Sequence, residues 1–232
     1  MTARKNNRPF VLINMAMTAD GKIATANRAI TTFGSPRDSN HLYELRATAD
    51  AVMSGARTID TNPVLLGSGG ERFRKLRQKN GLGDHALRII ASGSASIDPT
   101  AEFFKHRFAP IILLTTKRAA KSRLKKLTPL IDDLGQFGEN ELDIVAALRW
   151  LQEKWQVQRL LCEGGADLND LLFRADVVDE INLTICPFIF GGRTAPTISA
   201  GTGLMALDKA RQFELVSHKK IGSELYAVFR RK

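Results

Sequence analysis

Residues 9–17, PFVLINMAM, form a nearly continuous apolar run whose one polar side chain is Asn14. A strand buried on both faces, as at the centre of a parallel sheet, has this pattern. TADGK (18–22) follows, with turn chemistry at Asp20-Gly21. SPRD (35–38) has the form of a capping box: Ser35 as cap, Pro36 at the first helical position and Asp38 three residues on. The helix it opens is expected to reach about Ala47, with Leu42, Leu45 and Ala49 on one face. ADAVMSG (49–55), LRIIASGS (87–94) and PIILLTT (110–116) predict three more strands. Ile144, Leu148, Leu151 and Trp155 recur at helical spacing within 141–155. VQRLLCE (157–163) predicts a strand, a helix follows from about Asp167, and EINLTICP (180–187) predicts another strand. The end, 212–230, alternates on both sides of Gly222 and reads as an antiparallel hairpin.

Strands alternating with helices make this an α/β chain, read as one domain over 1–232, with a mostly parallel sheet and an antiparallel C-terminal edge. Hydrophobic content of 44% and charged content of 25% fit a globular protein. No apolar run is long enough to span a bilayer, and no apolar signal core follows the basic N-terminus, so the expected location is cytoplasmic. Cys162 and Cys186 sit in apolar runs and read as core thiols; the scattered His41, His85, His106 and His218 have no zinc spacing, so no metal is expected.

The net charge of +10 favours anionic partners, either nucleic acid or phosphorylated small molecules. Much of it lies in ERFRKLRQK (71–79) and KRAAKSRLKK (117–126), two runs of helical spacing that read as solvated faces. Neither has the interleaved aromatics of a single-strand nucleic-acid platform. GSGG (67–70) lacks the Lys-Ser/Thr and the strand-to-helix setting of a phosphate loop.

The most informative stretch is LLCEGGADLNDLL (160–172), where an acid and two glycines stand between a strand and a helix. A helix start behind glycines is an anion site: backbone N–H groups point outward, and a missing Cβ lets phosphate approach. Glu163 would repel that phosphate unless it faces a second ligand. On local sequence alone a tight turn with a surface acid is an equal reading.

Four motifs occur in order: NMAMTADGKIA, LYELRATADAVMSGART, LLCEGGADL and VDEINLTICPFIFGGR. Together they resemble the riboflavin-pathway reductase family, the RibD C-terminal domain, over nearly the whole chain. The resemblance implies the three-layer α/β/α fold of dihydrofolate reductase and a homodimer. It also implies NADPH as cofactor and a ribosylamino-pyrimidinone 5′-phosphate as substrate, reduced at C1′ through an opened imine. The chain is similar to the stand-alone reductases, having no His-x-Glu…Cys-x-x-Cys of a deaminase.

The resemblance places Gly164, Gly165, Ala166, Asp167 and Leu168 at the pyrophosphate turn and helix, and Ala16, Thr32 and Thr58 at cofactor contacts. Glu163 and Arg46 match substrate-facing positions. Asn14 stands where bifunctional members carry lysine, and Ile30, within Ala29-Ile30, replaces a hydroxyl contact. TIDTNP (58–63) is one residue short, so Asp60 and Asn62 compete for one role. VLLGSGGER, with Leu65 on the substrate side, lacks the usual arginine unless Arg72 or Arg74 replaces it. Arg57, Ser92 and Ser94 end strands on the cofactor side and suit a 2′-phosphate. Gly165 is expected to need the freedom of a left-handed conformation. The candidate proton donors are Lys22, Glu163 and Asp60. Because the departures gather on the substrate side, two alternatives stand. One is an oxidoreductase of this fold on another phosphorylated or heteroaromatic substrate; the other, from charge alone, is a non-catalytic nucleic-acid binder.

Overall fold

A computed structural model describes residues 7–28, 33–61 and 64–232. Its centre is β1 (Phe10–Thr18), flanked in parallel by β6 (Arg159–Cys162) and β7 (Glu180–Cys186). Beyond β6 the sheet continues in parallel through β2 (Ala51–Gly55), β3 (Leu87–Ala91), β4 (Ile111–Thr115) and β5 (Asp133–Gln136). Beyond β7, β9 (Glu224–Arg231) and then β8 (Phe213–Ile221) add antiparallel pairs, giving nine strands in the order β5-β4-β3-β2-β6-β1-β7-β9-β8. The continuous apolar runs are therefore the strands covered on both faces, as the pattern requires.

Two cores lie on opposite faces. Val11, Ile13, Met53 and Ile89 point to one core, which α6 (Ile144–Trp155) and α7 (Ala166–Arg174) close with Leu148, Leu151, Leu168 and Leu172. Leu12, Val52, Ile90 and Leu161 point to the other. There, α1 (Pro36–Arg46) packs Leu42 and Leu45, α2 (Ala56–Thr61) packs Ile59, and α4 (Glu102–Lys105) packs Phe103 and Phe104. Strand parity thus sorts side chains into an α6–α7 layer and an α1 layer. Cys162 and Cys186 are both free and buried, and burial pushes each thiol up to about 12.

Three local expectations need correcting. The capping box is only half made. Ser35 Oγ accepts from the Asp38 N–H at 3.3 Å, but the Ser35 N–H donates to Glu224 Oε1 of β9 at 2.7 Å, not to Asp38. Two elements have no counterpart in the sequence reading: the helix α2, which follows β2 directly, and the edge strand β5 in DLGQ. The run 71–79, read as a solvated face, forms α3 (Glu71–Lys79), and its Arg77 is buried. Arg77 donates to the Arg46 and Ala49 carbonyls at 2.6 and 2.7 Å, and through Nε to Gly83 O at 2.7 Å. It thereby completes the hydrogen bonding of the backbone where α1 ends and β2 begins, where Arg46 O otherwise has only the 3.3 Å bond from the Ala49 N–H. Arg88, inside β3, is buried too; it bonds the Phe103, His106 and Ala109 carbonyls between the Phe103 and Phe108 rings.

Arg77→Met keeps most of the stem and leaves three carbonyls without their donor. Hydrogen bonds to charged groups contribute about 1.5–3 kcal/mol each, and the freed carbonyls relax in part. The expected loss is about 3 kcal/mol, roughly 6–12 °C in Tm for a chain of this size. A thermal melt within about 2 °C of wild type would show that the guanidinium does not hold α1.

Candidate active site

The parallel strands β2, β3 and β6 end on one side of the sheet, where open α/β sheets take their ligands. A cavity of about 580 Å³ lies there, lined by the ends of β2 and β3, by α2 and by the first turn of α7. The turn after β6 is built by backbone. Gly164 has φ of +79°, and its carbonyl accepts from the Gly55 N–H at 2.8 Å and from Ser54 Oγ at 3.2 Å. The Gly164–Gly165 peptide is cis. Gly165, the N-cap of α7, has φ of −73°, so the left-handed requirement falls on Gly164. What Gly165 provides is closeness: a Cβ there would lie 3.3 Å from Thr58 Oγ1. No side chain caps α7, whose first turn lines the cavity, an arrangement that leaves backbone N–H groups open to an anion.

The groove has its own charges. Arg57 Nη1 lies 3.2 Å from Asp167 Oδ2 across the mouth, both side chains about two-thirds exposed (63% and 67%). Ser92, Ser94 and Asp60 line the same cavity. Asp60 accepts from the Asp98 N–H at 3.0 Å, and burial raises its pKa.

One residue back, Glu163 points the other way. Its carboxylate meets Arg46 of α1 in a bidentate pair, Nε to Oε1 and Nη2 to Oε2, each 2.6 Å. Arg46 Nη1 donates to Gly67 O at 2.6 Å, and the Tyr43 ring lies 5.3 Å from the guanidinium. Both side chains are buried, at 8% and 10% exposure. Burial works against the charge on Arg46, but Glu163 outweighs it and holds the guanidinium protonated. The β1–β6 register pairs Ile13 with Cys162, so its next step sets Asn14 beside Glu163.

From there a polar track follows the α1 layer along β1, β7 and β9. Among the described residues, four buried side-chain polar atoms have no hydrogen-bond partner: Asn14 Oδ1, Asp38 Oδ1, Thr184 Oγ1 and Arg88 Nε. The first three belong to this track. Each bare atom costs about 1–3 kcal/mol. Burial raises the Asp38 pKa; the Thr184 hydroxyl lies close enough to offset part of the rise, though outside hydrogen-bonding geometry, and Glu224 adds to it. Glu224 is the saturated member of the pair. Burial pushes it up too, but the Ser35 N–H, Ser35 Oγ and Tyr226 hydroxyl bonds outweigh that and leave it below the usual range.

The groove thus gathers Arg57, Thr58, Asp60, Ser92, Ser94, Gly165, Ala166, Asp167 and Leu168. Gly164 supports it from behind, and Ala16 lies on β1, paired in register with Thr184. Arg46 and Glu163 meet in the α1 layer, which Asn14 also faces from β1. Lys22 Nζ donates to Ala195 O at 3.2 Å. Arg72 is not brought to them: it is exposed on α3, over the Phe73 ring. Leu65 is half-buried, in the loop before α3. Ile30, Thr32 and Asn62 lie outside the described residues. Sequence reasoning missed Arg118, which lines the groove from within a run read as a solvated face. It also missed Asp38, taken for a capping acid, and Thr184, one of the polar positions of the alternating strand β7. Among the described residues no cluster of His, Cys, Asp and Glu suits a metal, and no helix is long and apolar enough to cross a membrane.

Known proteins resemble the chain in sequence and in fold. The sequence is 31% identical over 223 residues to the 2,5-diamino-6-ribosylamino-4(3H)-pyrimidinone 5′-phosphate reductase of Aquifex aeolicus, covering 94% of each chain. It is 30% identical over 218 residues to the like-named Methanothermobacter thermautotrophicus protein, covering 94% of this chain and 96% of that one. The fold matches the crystal structure of a pyrimidine reductase-like protein from Corynebacterium diphtheriae with a TM-score of 0.78 at 20% identity, over 97% of this chain and 93% of that one. The model of the RibD C-terminal domain family matches residues 9–227, and the chain belongs to that family.

Proposed function

We propose that the chain is an NADPH-dependent reductase of riboflavin biosynthesis. Its substrate is a 2,5-diamino-6-ribosylamino-4(3H)-pyrimidinone 5′-phosphate, whose ribosyl group it reduces to ribityl. The observation that carries this is the division at the end of β6: a phosphate-accepting glycine turn on one face and a buried Arg46–Glu163 pair on the other. The close relatives' names supply the substrate.

The groove fits a dinucleotide. Its volume is that of a cofactor site, its helix start is uncapped, and Gly165 lacks the Cβ that would fill the approach. Gly165, Ala166 and Asp167 offer backbone N–H groups to the pyrophosphate, and Thr58 borders them. Ser92 and Ser94 take the 2′-phosphate with Arg57, which must first leave Asp167. NADPH bound there supplies the hydride that reduces C1′. On the α1 side, Arg46 and Glu163 orient the substrate as a unit, each holding the other's geometry. With both oxygens on Arg46, Glu163 is a positioning group and a poor proton donor. Asp60, with its raised pKa, keeps a proton to higher pH, and Lys22 stands at the end of β1.

A second reading, another phosphorylated or heteroaromatic substrate, is favoured by one observation: Arg72 stands on the outer surface of α3. One assay separates the two. Purified protein is mixed with NADPH and the ribosylamino-pyrimidinone phosphate; loss of NADPH absorbance with a ribityl product by mass supports the first. Absence of turnover overturns it.

Oligomeric state follows from the sheet edge. Along β8 the seven residues Glu214–Lys220 are exposed, including Leu215 and Val216; Leu204, Met205 and Leu207 stand exposed before it. Such an apolar edge is suited to a second copy. Light scattering at micromolar concentration is expected to give twice the 25.6 kDa chain mass; the mass of one chain would refute the dimer.

Two variants test the two faces. Gly165→Val puts a branched side chain against Thr58 and into the phosphate approach. NADPH affinity is expected to fall at least tenfold, about 1.4 kcal/mol, with an unchanged circular dichroism spectrum. Unchanged affinity by calorimetry would make the turn merely structural. Glu163→Gln keeps the shape but removes the charge from Arg46, at a stability cost of about 1.5–3 kcal/mol. Turnover should fall by one to two orders of magnitude while the Kd for NADPH stays within about threefold. A variant that loses NADPH but keeps turnover at saturation would assign Glu163 to the cofactor side.

A further inference from the structure

Three partnerless atoms gathered on one polar track require an explanation that single surface groups do not. Asn14 is 8% exposed and Thr184 1% exposed, so water does not satisfy them freely. Asp38 is the charged member. Two features aim it inward. Its capping partner has been taken over by Glu224, which receives the Ser35 N–H and hydroxyl. Gly34 leaves the room, because a Cβ there would overlap Asp38 Oδ2. Glu224 stands near enough to act electrostatically on Asp38, yet it has its own donors from Ser35 and Tyr226. The acceptor capacity left over belongs to Asp38.

The chemistry of the track defines what it takes. Asn14 Oδ1 and Asp38 Oδ1 are acceptors, and Thr184 Oγ1 both accepts and donates. A phosphate would meet two oxygen acceptors and be repelled, so the substrate's 5′-phosphate belongs elsewhere. The complementary ligand presents adjacent N–H donors. A 2-amino-4(3H)-pyrimidinone has that edge: N3–H and the 2-amino group project side by side, as a guanidinium does toward a carboxylate. In the deaminated, uracil-type ring the 2-amino donor becomes a carbonyl acceptor, which a carboxylate opposes.

We propose that Asp38, with Thr184 near it and Asn14 on the same face of the sheet, forms an acceptor wall that takes the N3–H and 2-amino edge of the pyrimidine and discriminates against the 2-oxo ring. The wall lies in the same layer as the Arg46–Glu163 pair, and the proposal rests on the reductase reading above. It gives the 2,5-diamino substrate named for the relatives a physical basis in this chain's own residues.

The test compares kcat/KM for the 2-amino substrate and its 2-oxo counterpart in wild type, Asp38→Asn and Thr184→Val, with thermal melts to verify folding. Wild type should prefer the 2-amino compound at least tenfold. In Asp38→Asn the amide can donate to a 2-oxo group, so that preference should fall at least tenfold, with NADPH affinity unchanged. Thr184→Val, which keeps the shape, should shift it in the same direction by less. Equal losses on both substrates, or an unshifted ratio, would overturn the wall. Should wild type reduce neither compound, the reductase reading fails. Calorimetry of the same two compounds then decides the wall separately: selective binding of the 2-amino ring, lost in Asp38→Asn, upholds it, and unselective or absent binding overturns it.

Discussion

The Arg46–Glu163 pair is the contact on which the rest of the site depends. A bidentate bond between two buried charges fixes distance and angle at once, and it joins the last turn of α1 to the end of β6. Either charge left alone there would be expensive, so the two must arrive together. Arg46 brings Gly67 with it through Nη1, and Arg77 holds the Arg46 carbonyl from below. Two arginines from different helices thus organise backbone where hydrophobic packing alone gives no direction. The same pair turns the acid away from the groove, so that, on the proposed reading, a glutamate can precede the turn that takes pyrophosphate.

The strands and the glycine turn were legible because their physics is local. A strand buried on both faces needs a nearly unbroken apolar run, and β1 and β4 show one, whereas β7 alternates apolar and polar residues. A phosphate turn needs residues without Cβ atoms, and Gly164-Gly165 announce it. The features that stayed hidden depend on long-range partners. Nothing in ERFRKLRQK distinguishes Arg77 from the exposed Arg72, because the carbonyls that bury Arg77 come mainly from the α1–β2 connection. The acid of SPRD reads as a capping group until Glu224, 186 positions away from it in the chain, takes the Ser35 N–H. DLGQ carries too little apolar character to declare a strand; it pairs because β4 offers an edge.

Charge divides in the same way. The net +10 suggested an anionic partner, and many of the cations are committed within the fold. Arg8 pairs with Asp179, Arg174 with Glu141 and Asp170, and Arg88 lies inside the sheet's second core. On the proposed reading, what serves a phosphate is not the total but the few positive ends at the groove, chiefly the α7 N-terminus with Arg57 and Arg118 near it. Net charge is therefore a weak guide to the ligand, and backbone geometry a strong one.

The two-sided site has a simple origin in strand parity. Successive side chains leave a strand on opposite faces. Leu161 enters the α1 layer, Cys162 the α6–α7 layer, and Glu163 the α1 layer again, just before the chain turns into glycine. After Glu163 the chain has no side chain to place for two residues, so backbone takes over as the recognising surface. One residue more or fewer in β6 would aim the acid at the α6–α7 layer. There it would lie against apolar residues with no arginine, while Arg46 stayed buried and unpaired. The register of β6 against β1 is thus held by apolar pairs such as Leu12 with Leu161, and by the cost of stranding a charge on each side. Fold and site are specified together by that register and the Arg46–Glu163 pair, which, on the proposed reading, lets an ordinary strand end serve two chemically opposite ligands.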